Sequence, residues 1–285
     1  MVNFLARGMT SPLRDMVVAA RAMARGDYEQ RVTATSKDEV GELARAFNGM
    51  AGELAELDRV RRDIVANVSH ELRTPISALQ AVLENVVDGV EEPDPETMRT
   101  MLLQVERLGS LVEQLLDLSR LESGASPLQL TRFPVHSVLD AAASEARISP
   151  RVASSEVSVL VDAPPHLSVH ADRDRLHQVI SNLLDNAVRH SPNGEPVVVS
   201  AREDGGGVLI SVQDSGPGIP PDEAARVFER FYRSDAARSQ NHGGTGLGLA
   251  IARWIVELHD GSIEVDRSAV TGCRMLVSIP GGSHV

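Results

Sequence analysis

Apolar residues recur at three- and four-residue spacings up to about residue 123, then switch to short alternating runs. Leu13, Met16, Val17, Ala20 and Met23 form one helical stripe, ended by Gly26 and Asp27, and Leu43, Ala46, Phe47 and Met50 form a second. Pro12 suits a first helical turn, and Ser36 ahead of Asp38 and Glu39 suits a cap with acids behind it. Two longer helices follow, over about 54–89 and 96–123, joined by the breaker EEPDP at 91–95. Leu57, Ile64, Val68, Leu72, Leu79, Val82 and Val86 trace a face of the first. Met98, Leu102, Val105, Leu108, Val112, Leu115 and Leu118 trace a face of the second. One antiparallel hairpin cannot bury both stripes, so a four-helix bundle of two subunits is expected. From about 127 to 280, the strand-like runs LQLTRF, VSVLV, PVVVSA, VLISVQD, SIEVD and CRMLVSI alternate with helical patterns at 134–148, 172–190 and 246–259. That order predicts a layered α/β sandwich.

Composition narrows the function classes. At 285 residues the chain suits two or three domains, and 42% hydrophobic with 3% aromatic residues suits cores of Leu, Val, Ile and Ala. A net charge of −12 argues against broad binding to nucleic acid or anionic lipid, and a protein partner is expected instead. The one cysteine, Cys273, excludes an intramolecular disulfide and reads as a buried small side chain in an apolar run. No run approaches the roughly 18 apolar residues of a membrane span, and Met1 to Leu5 is no signal peptide, so the chain as written is expected to be soluble.

Two regions carry candidate chemistry. In SHELRTP, Ser69 to Pro75, His70 lies two residues from both Val68 and Leu72. At about 100° per residue it therefore points away from the apolar stripe. Thr74 falls on the same face one turn on, and Glu71 is adjacent. Pro75 cannot donate to the carbonyl of Glu71, so the helix is expected to kink or loosen there. Taken alone, this heptad fits a surface histidine beside a proline kink better than it fits a phosphate acceptor. The second region surrounds the irregular stretch from about Asp214 to Thr245, long enough to be functional or disordered. NLLDNAVRHS places Asn182 and Asn186 on one helical face; DSGPGIP sets Asp214 at a strand end before Gly216 and Gly218. FERFYRSD interleaves Phe228, Phe231 and Tyr232 with Arg230 and Arg233. In GGTGLGLAI, Gly244, Gly246 and Gly248 precede a helix, a backbone suited to phosphate. Singly, a solvated helix, a plain turn, a packed helix and a glycine run explain them nearly as well.

Together and in this order, the four segments resemble the N, G1, F and G2 boxes of the histidine-kinase ATPase domain. The SHELRTP hairpin resembles that family's dimerisation and phosphoacceptor domain, and the first region, with Pro12, Asp38, Glu39 and Gly41, resembles a HAMP domain. From about 8 to 280 the chain resembles the cytoplasmic part of a HAMP-containing sensor histidine kinase. The resemblance implies a multidomain α and α/β protein. It would comprise a HAMP segment at 8–60, a dimerisation and phosphotransfer hairpin at 61–124, and an α/β sandwich of the histidine-kinase/Hsp90/gyrase superfamily at 127–283. It also implies that His70 takes phosphate from ATP and passes it to an aspartate of a cognate response regulator. Glu71 would share the other ring proton, and Thr74 would help position water for dephosphorylating the regulator. Asn186 would hold Mg²⁺, Asn182 the phosphate end and Arg189 added charge. Asp214 would take the adenine amino group, with Gly216 and Gly218 admitting the base and His190 beside it. Gly244, Gly246 and Gly248 would shape the lid, and Arg233 would meet the γ-phosphate. A homodimer, and a membrane segment ahead of the HAMP region in a bacterial cell-membrane protein, are implied as well. Two other readings stand beside this one: a non-catalytic relay with a nucleotide-sensing module, and a stand-alone ATPase of the same superfamily.

Overall fold

The computed structural model describes residues 2–33, 38–90, 92–122, 127–149, 152, 156–233, 245–266, 268 and 271–281. The chain divides into two units, Met1–Arg73 and Thr74–Val285.

In the first unit, helix α1 spans Val2–Met23, and helix α2 begins at Glu39 and runs to Val87, beyond the unit's end. Asp38 caps α2, its Oδ1 accepting the N–H of Gly41 at 3.0 Å. Ser36, the expected cap, lies outside the described residues. Val32, in the segment between the helices, is buried with Met16, Ala19 and Ala44, and Val40 and Phe47 pack on this cluster. Asn48 fixes that segment through its side-chain amide: Oδ1 accepts the N–H of Val32 at 2.9 Å and Nδ2 donates to its carbonyl at 2.8 Å. The expected stripes are offset from this core. Met16 and Met23 are buried, but Leu13, Val17, Leu43, Ala46 and Met50 are exposed.

No break separates the second expected helix from the third. Helix α2 is continuous for 49 residues. Gly49 and Gly52 lie inside it at about 1 kcal/mol each, and the surrounding Leu, Ala, Glu and Arg favour helix enough to carry it through. It also continues through Pro75, which is buried. On α2 the shielded positions include Ile64, Val68, Leu72, Pro75, Leu79, Val82 and Val86, in the alternating three–four spacing of one helical seam.

In the second unit, α2 is joined by the short connector 88–94 to helix α3, Pro95–Glu122. Asp94 caps α3, accepting the N–H of Thr97 at 2.7 Å. The shielded row of α3 includes Thr97, Met101, Gln104, Leu108, Leu111 and Leu115. Of the residues expected on its apolar face, Leu108 and Leu115 belong to this row, whereas Met98, Leu102, Val105 and Val112 are exposed. The burial of the Leu118 side chain lies outside what is described.

An α/β lobe follows. Strand β1 (Leu130–Pro134) leads into α4 (Val135–Ile148), then β2 (Val159–Asp162), β3 (Ser168–Asp172), α5 (Arg173–His190), β4 (Val197–Asp204) and β5 (Gly207–Gln213). After the nucleotide-box segments come α6 (Gly248–Leu258), β6 (Ser262–Val265) and β7 (Arg274–Ile279). Strands β2-β4-β5-β7-β6 form the main sheet, with β2 parallel to β4 and the other pairs antiparallel; β1 and β3 form a separate antiparallel pair. Alternation decides the faces. Val197, Val199, Ile210, Val212, Met275, Val277 and Ile279 point inward beneath α4, α5 and α6 and are buried, whereas Val198, Ser200, Leu209, Ser211, Gln213, Arg274 and Leu276 are only half-buried.

Candidate functional site

Helix α5 is anchored at its start by Asp172. Its Oδ1 accepts the N–H of Arg175 at 3.2 Å, and its own N–H donates to Nε2 of buried His259 at 3.0 Å. With Nε2 accepting, the proton of His259 sits on Nδ1 and donates to the carbonyl of Ile255 at 2.7 Å, tying the end of α6 to the start of α5. The apolar face of α5 (Leu176, Val179, Ile180, Leu183, Leu184, Ala187 and Val188) is buried. That fixes the rotation of the helix and puts Gln178, Asn182 and Asn186, four residues apart, in a single half-buried row beside it. Nδ2 of Asn182 is buried with no hydrogen-bond partner, and so is Nε of Arg189, whose Nη2 is paired with Asp185. A buried donor left unpaired costs about 1–3 kcal/mol, so these atoms suit a site that takes an anionic ligand.

Asp214 closes the other side. It is 5% exposed, and both of its nearby backbone donors converge on one oxygen: Oδ1 accepts from Gly216 at 2.8 Å and from Cys273 at 3.1 Å. Burial pushes its carboxyl above the ordinary carboxylate range, opposed by those two N–H groups and by the charge of His190. A Cβ on Gly216 would lie 2.5 Å from the carbonyl oxygen of His190, so glycine lets this turn press against the end of α5. The same holds more severely at Gly272, where φ is +71° and a Cβ would lie 1.8 Å from the carbonyl oxygen of Asp214. The Cys273 thiol is buried behind this turn and pushed up to about 12, by burial first and by the Asp214 charge second. It is an inert packing group rather than a nucleophile.

The remaining boxes meet each other. The N–H of Phe231 donates to the carbonyl of Gly246 at 2.9 Å, and Phe231 itself takes a positive φ of 60°. Gly246, at φ +70°, has no room for a side chain: a Cβ would lie 2.7 Å from the Phe231 carbonyl carbon. The Arg226 guanidinium lies 4.8 Å from the centre of the Tyr232 ring. At the start of α6, a Cβ on Gly248 would stand 3.6 Å from Asn182 Oδ1, which brings the last glycine segment onto the asparagine row.

The structure therefore draws Asn182 to Gly248, the end of α5 at His190 to Gly216 and Asp214, and the aromatic segment to Gly246. Asn186 and Arg233 are half-buried and His190 is exposed; Gly218 is in the left-handed region against Gly272. Gly244 lies outside the described residues. His70 and Thr74 are exposed on α2, and Glu71 is half-buried. Gly272 and Cys273 were not expected at the site. The only signal was a Thr-Gly pair before a strand, and what draws it to the site is a contact 58 positions away. Among the described residues, no three His, Cys, Asp or Glu side chains are disposed to hold a metal. Mg²⁺ needs no such cage, because one or two protein oxygens plus phosphate and water suffice, and an amide oxygen from the asparagine row fits that donor set.

Comparison with known proteins places these features. Residues 171–283 match the family described as "Histidine kinase-, DNA gyrase B-, and HSP90-like ATPase", residues 4–56 match the HAMP domain, and residues 60–124 match the His Kinase A (phospho-acceptor) domain. The chain is 38% identical over 276 residues, 97% of its length, to the signal transduction histidine-protein kinase BaeS of Escherichia coli K12, and spans 59% of that protein. Among solved structures it is similar to the Acinetobacter baumannii histidine kinase AdeS, with a TM-score of 0.63 and 29% identity, covering 75% of this chain and 98% of that one. The histidine kinase ThkA, solved with the response regulator protein TrrA, shares the fold at a TM-score of 0.65 and 22% identity, over 80% of this chain and 64% of that one.

Proposed function

We propose, for a chain that belongs to the HAMP-containing sensor histidine kinases, that it phosphorylates His70 with ATP and hands the phosphoryl group to an aspartate of a response regulator. The observation that carries this reading is the pairing, in one chain, of a cradle with unsatisfied buried donors and a solvent-exposed histidine followed by a carboxylate.

The chemistry follows from the residues. Phosphoryl transfer asks for alignment and charge neutralisation more than for covalent help from the protein. Asp214 has spent Oδ1 on two backbone donors and offers Oδ2 to the adenine amino group. Asn182 Nδ2 and Arg189 Nε are placed to satisfy themselves on phosphate oxygens, and backbone N–H groups at the start of α6 add to them. Asn186 would hold Mg²⁺ through its side-chain oxygen, and the ion would supply charge neutralisation when bound. At the acceptor, one neutral ring nitrogen of His70 attacks the γ-phosphorus. The nitrogen–phosphorus bond forms as the bond to the bridging oxygen breaks and ADP leaves with its electrons. Glu71 accepts a hydrogen bond from the other ring nitrogen, fixing the tautomer and raising nucleophilicity. Thr74, one turn from His70, orients the water that removes phosphate from the regulator. The exposed apolar faces of α2 and α3, including Ile76, Leu83, Leu102 and Val105, support a homodimer whose four helices share one core. The membrane segment implied by the HAMP region belongs to the same proposal.

Incubation with labelled ATP and Mg²⁺ separates this from a nucleotide-sensing relay, which would only bind, and from an ATPase, which would only release phosphate. His70→Gln is expected to abolish acid-labile phosphohistidine while leaving ATP binding unchanged. Retained label on the variant would refute His70 as the acceptor.

A further inference from the structure

Ser110, Gln114 and Asp117 lie at i, i+4 and i+7 on α3, along one side of the helix, and this row reaches the ATP cradle at two points. At the first, the hydroxyl of Thr245 donates to Gln114 Oε1 at 2.6 Å and accepts the N–H of Leu247 at 3.2 Å. Gln114 is itself oriented, because its Nε2 donates to Ser110 Oγ at 3.3 Å, which turns its oxygen toward Thr245. At the second, Gln178 Nε2 donates to Asp117 Oδ2 at 2.6 Å while Gln178 Oε1 accepts from Arg175 Nη1 at 3.1 Å.

Both contacts fall on walls of the cradle. Gln178 is the first member of the row that continues with Asn182 and Asn186. Thr245 opens the Thr-Gly-Leu-Gly turn that brings Gly248 onto Asn182, and Leu247 within that turn is fully buried. A threonine hydroxyl rotates freely, and it caps Leu247 only with a lone pair turned toward that N–H. Gln114 takes the hydroxyl proton and so holds the rotor in the capping orientation.

We infer that the hairpin completes the nucleotide site, with Gln114 acting as a positioning residue that sets the glycine turn through Thr245, and with Asp117 steadying the asparagine row through Gln178. The inference rests on the reading that ATP occupies this cradle. A turn already held in its binding geometry loses less freedom when the ligand arrives, so the two contacts raise nucleotide affinity. By linkage, bound nucleotide tightens the same contacts between α3 and the cradle.

The test measures equilibrium binding of a non-hydrolysable ATP analogue with Mg²⁺ to the full chain, beside the KM and kcat for ATP in autophosphorylation. Gln114→Leu and Thr245→Val are each expected to weaken binding about three- to tenfold, the worth of one oriented hydrogen bond. The double variant is expected to bind no worse than either single one, since both break the same link. Thr245→Ser, which keeps the hydroxyl, should restore affinity, and Asp117→Ala should weaken binding without touching the turn. The loss is expected in KM rather than kcat, with thermal unfolding unmoved, an outcome that a merely structural role would not give. Wild-type affinity in Gln114→Leu, or losses that add in the double variant, would overturn the inference. If the wild-type chain binds no nucleotide, or Asp214→Asn binds as tightly as wild type, the reading of the cradle fails instead and takes this one with it.

Discussion

The largest fully buried side chains, among them Leu139, Leu176, Ile180, Leu183, Ile210, Leu247, Ile251 and Ile279, all come from the α/β lobe. The long helices differ: Val65, Ile76, Leu83, Val87, Leu102, Leu103, Val105, Val112 and Leu116 stand exposed on α2 and α3. The sheet and its three helices enclose their apolar faces within one chain. A helical pair closes only one seam and leaves the others bare. The lobe is a finished object, whereas the helical part leaves apolar faces that the proposed dimer would cover. Chemistry that needs a dry, fixed environment, such as Asp214 with its raised pKa, sits in the finished region. His70, which the proposed function brings to ATP and then to a second protein, is exposed on the helical part.

Three experiments bear on that contrast. The largest effect is expected from Gly272→Ala. The added carbon meets the Asp214 carbonyl oxygen at a left-handed backbone position, so the lobe must deform around its own nucleotide site. A loss of about 3 kcal/mol or more, read by denaturant unfolding of the lobe, should accompany loss of ATP binding. A well-folded variant that binds normally would show that the lobe is less sealed than described. Next comes the helical side, where Leu102→Asp with Val105→Asp places charge on the bare face of α3. Each subunit loses two side chains worth about 1.5–3 kcal/mol apiece, so the dimer dissociation constant should rise at least a hundredfold by sedimentation, with lobe unfolding unchanged. The smallest effect on stability, with the sharpest signature, belongs to Asp214→Asn. The amide still lets Oδ1 accept from Gly216 and Cys273 but presents an NH₂ to the adenine amino group, so affinity should fall about tenfold or more. Stability should hold or rise, because a buried charge is gone. The sign with pH follows. A carboxyl raised in the folded state binds protons that the unfolded chain has released, so its contribution to stability falls as pH rises from the ordinary carboxylate range through the raised value. That slope, followed by unfolding at successive pH values, should be absent from the asparagine variant.

Legibility followed the same division. In the lobe, the alternating runs locate the five main-sheet strands, and the 134–148, 172–190 and 246–259 patterns find α4, α5 and α6, because one chain contains the whole reason for each buried residue. Strand β3 escaped because Ser168–Asp172 is short, begins and ends on polar residues and has only Val169 and Ala171 within it to alternate. The Gly272–Cys273 turn escaped because its demand comes from Asp214, far along the chain. On the helices, periodicity finds the elements, and several of the stripe residues it picks out stand exposed in the single chain. Met98, Leu102, Val105 and Val112 lie on the face that the expected two-subunit bundle would cover, and in the single chain they are surface. A hydrophobic pattern records that a residue will be covered, but not by which molecule. Within the candidate site, sequence spacing singled out Asn182, Asn186, Asp214, Gly216 and Gly248, which the fold brings to one region of the lobe. It did not single out Gln114 and Thr245, since a glutamine in a helical repeat and a threonine among glycines carry no spacing that links them.

The unbroken course of α2 gives its length a second meaning. At 1.5 Å and 100° per residue, the 22 steps from Asn48 to His70 amount to about 33 Å and six full turns plus some 40°. Asn48 grips Val32 near one end of that stretch and the His70 imidazole projects from the other. With neither proline nor loop between them, a twist applied at the grip has no joint in which to dissipate. Each inserted or deleted residue becomes a change of phase, swinging the imidazole through more than a quarter circle while advancing it by about the length of one carbon–carbon bond.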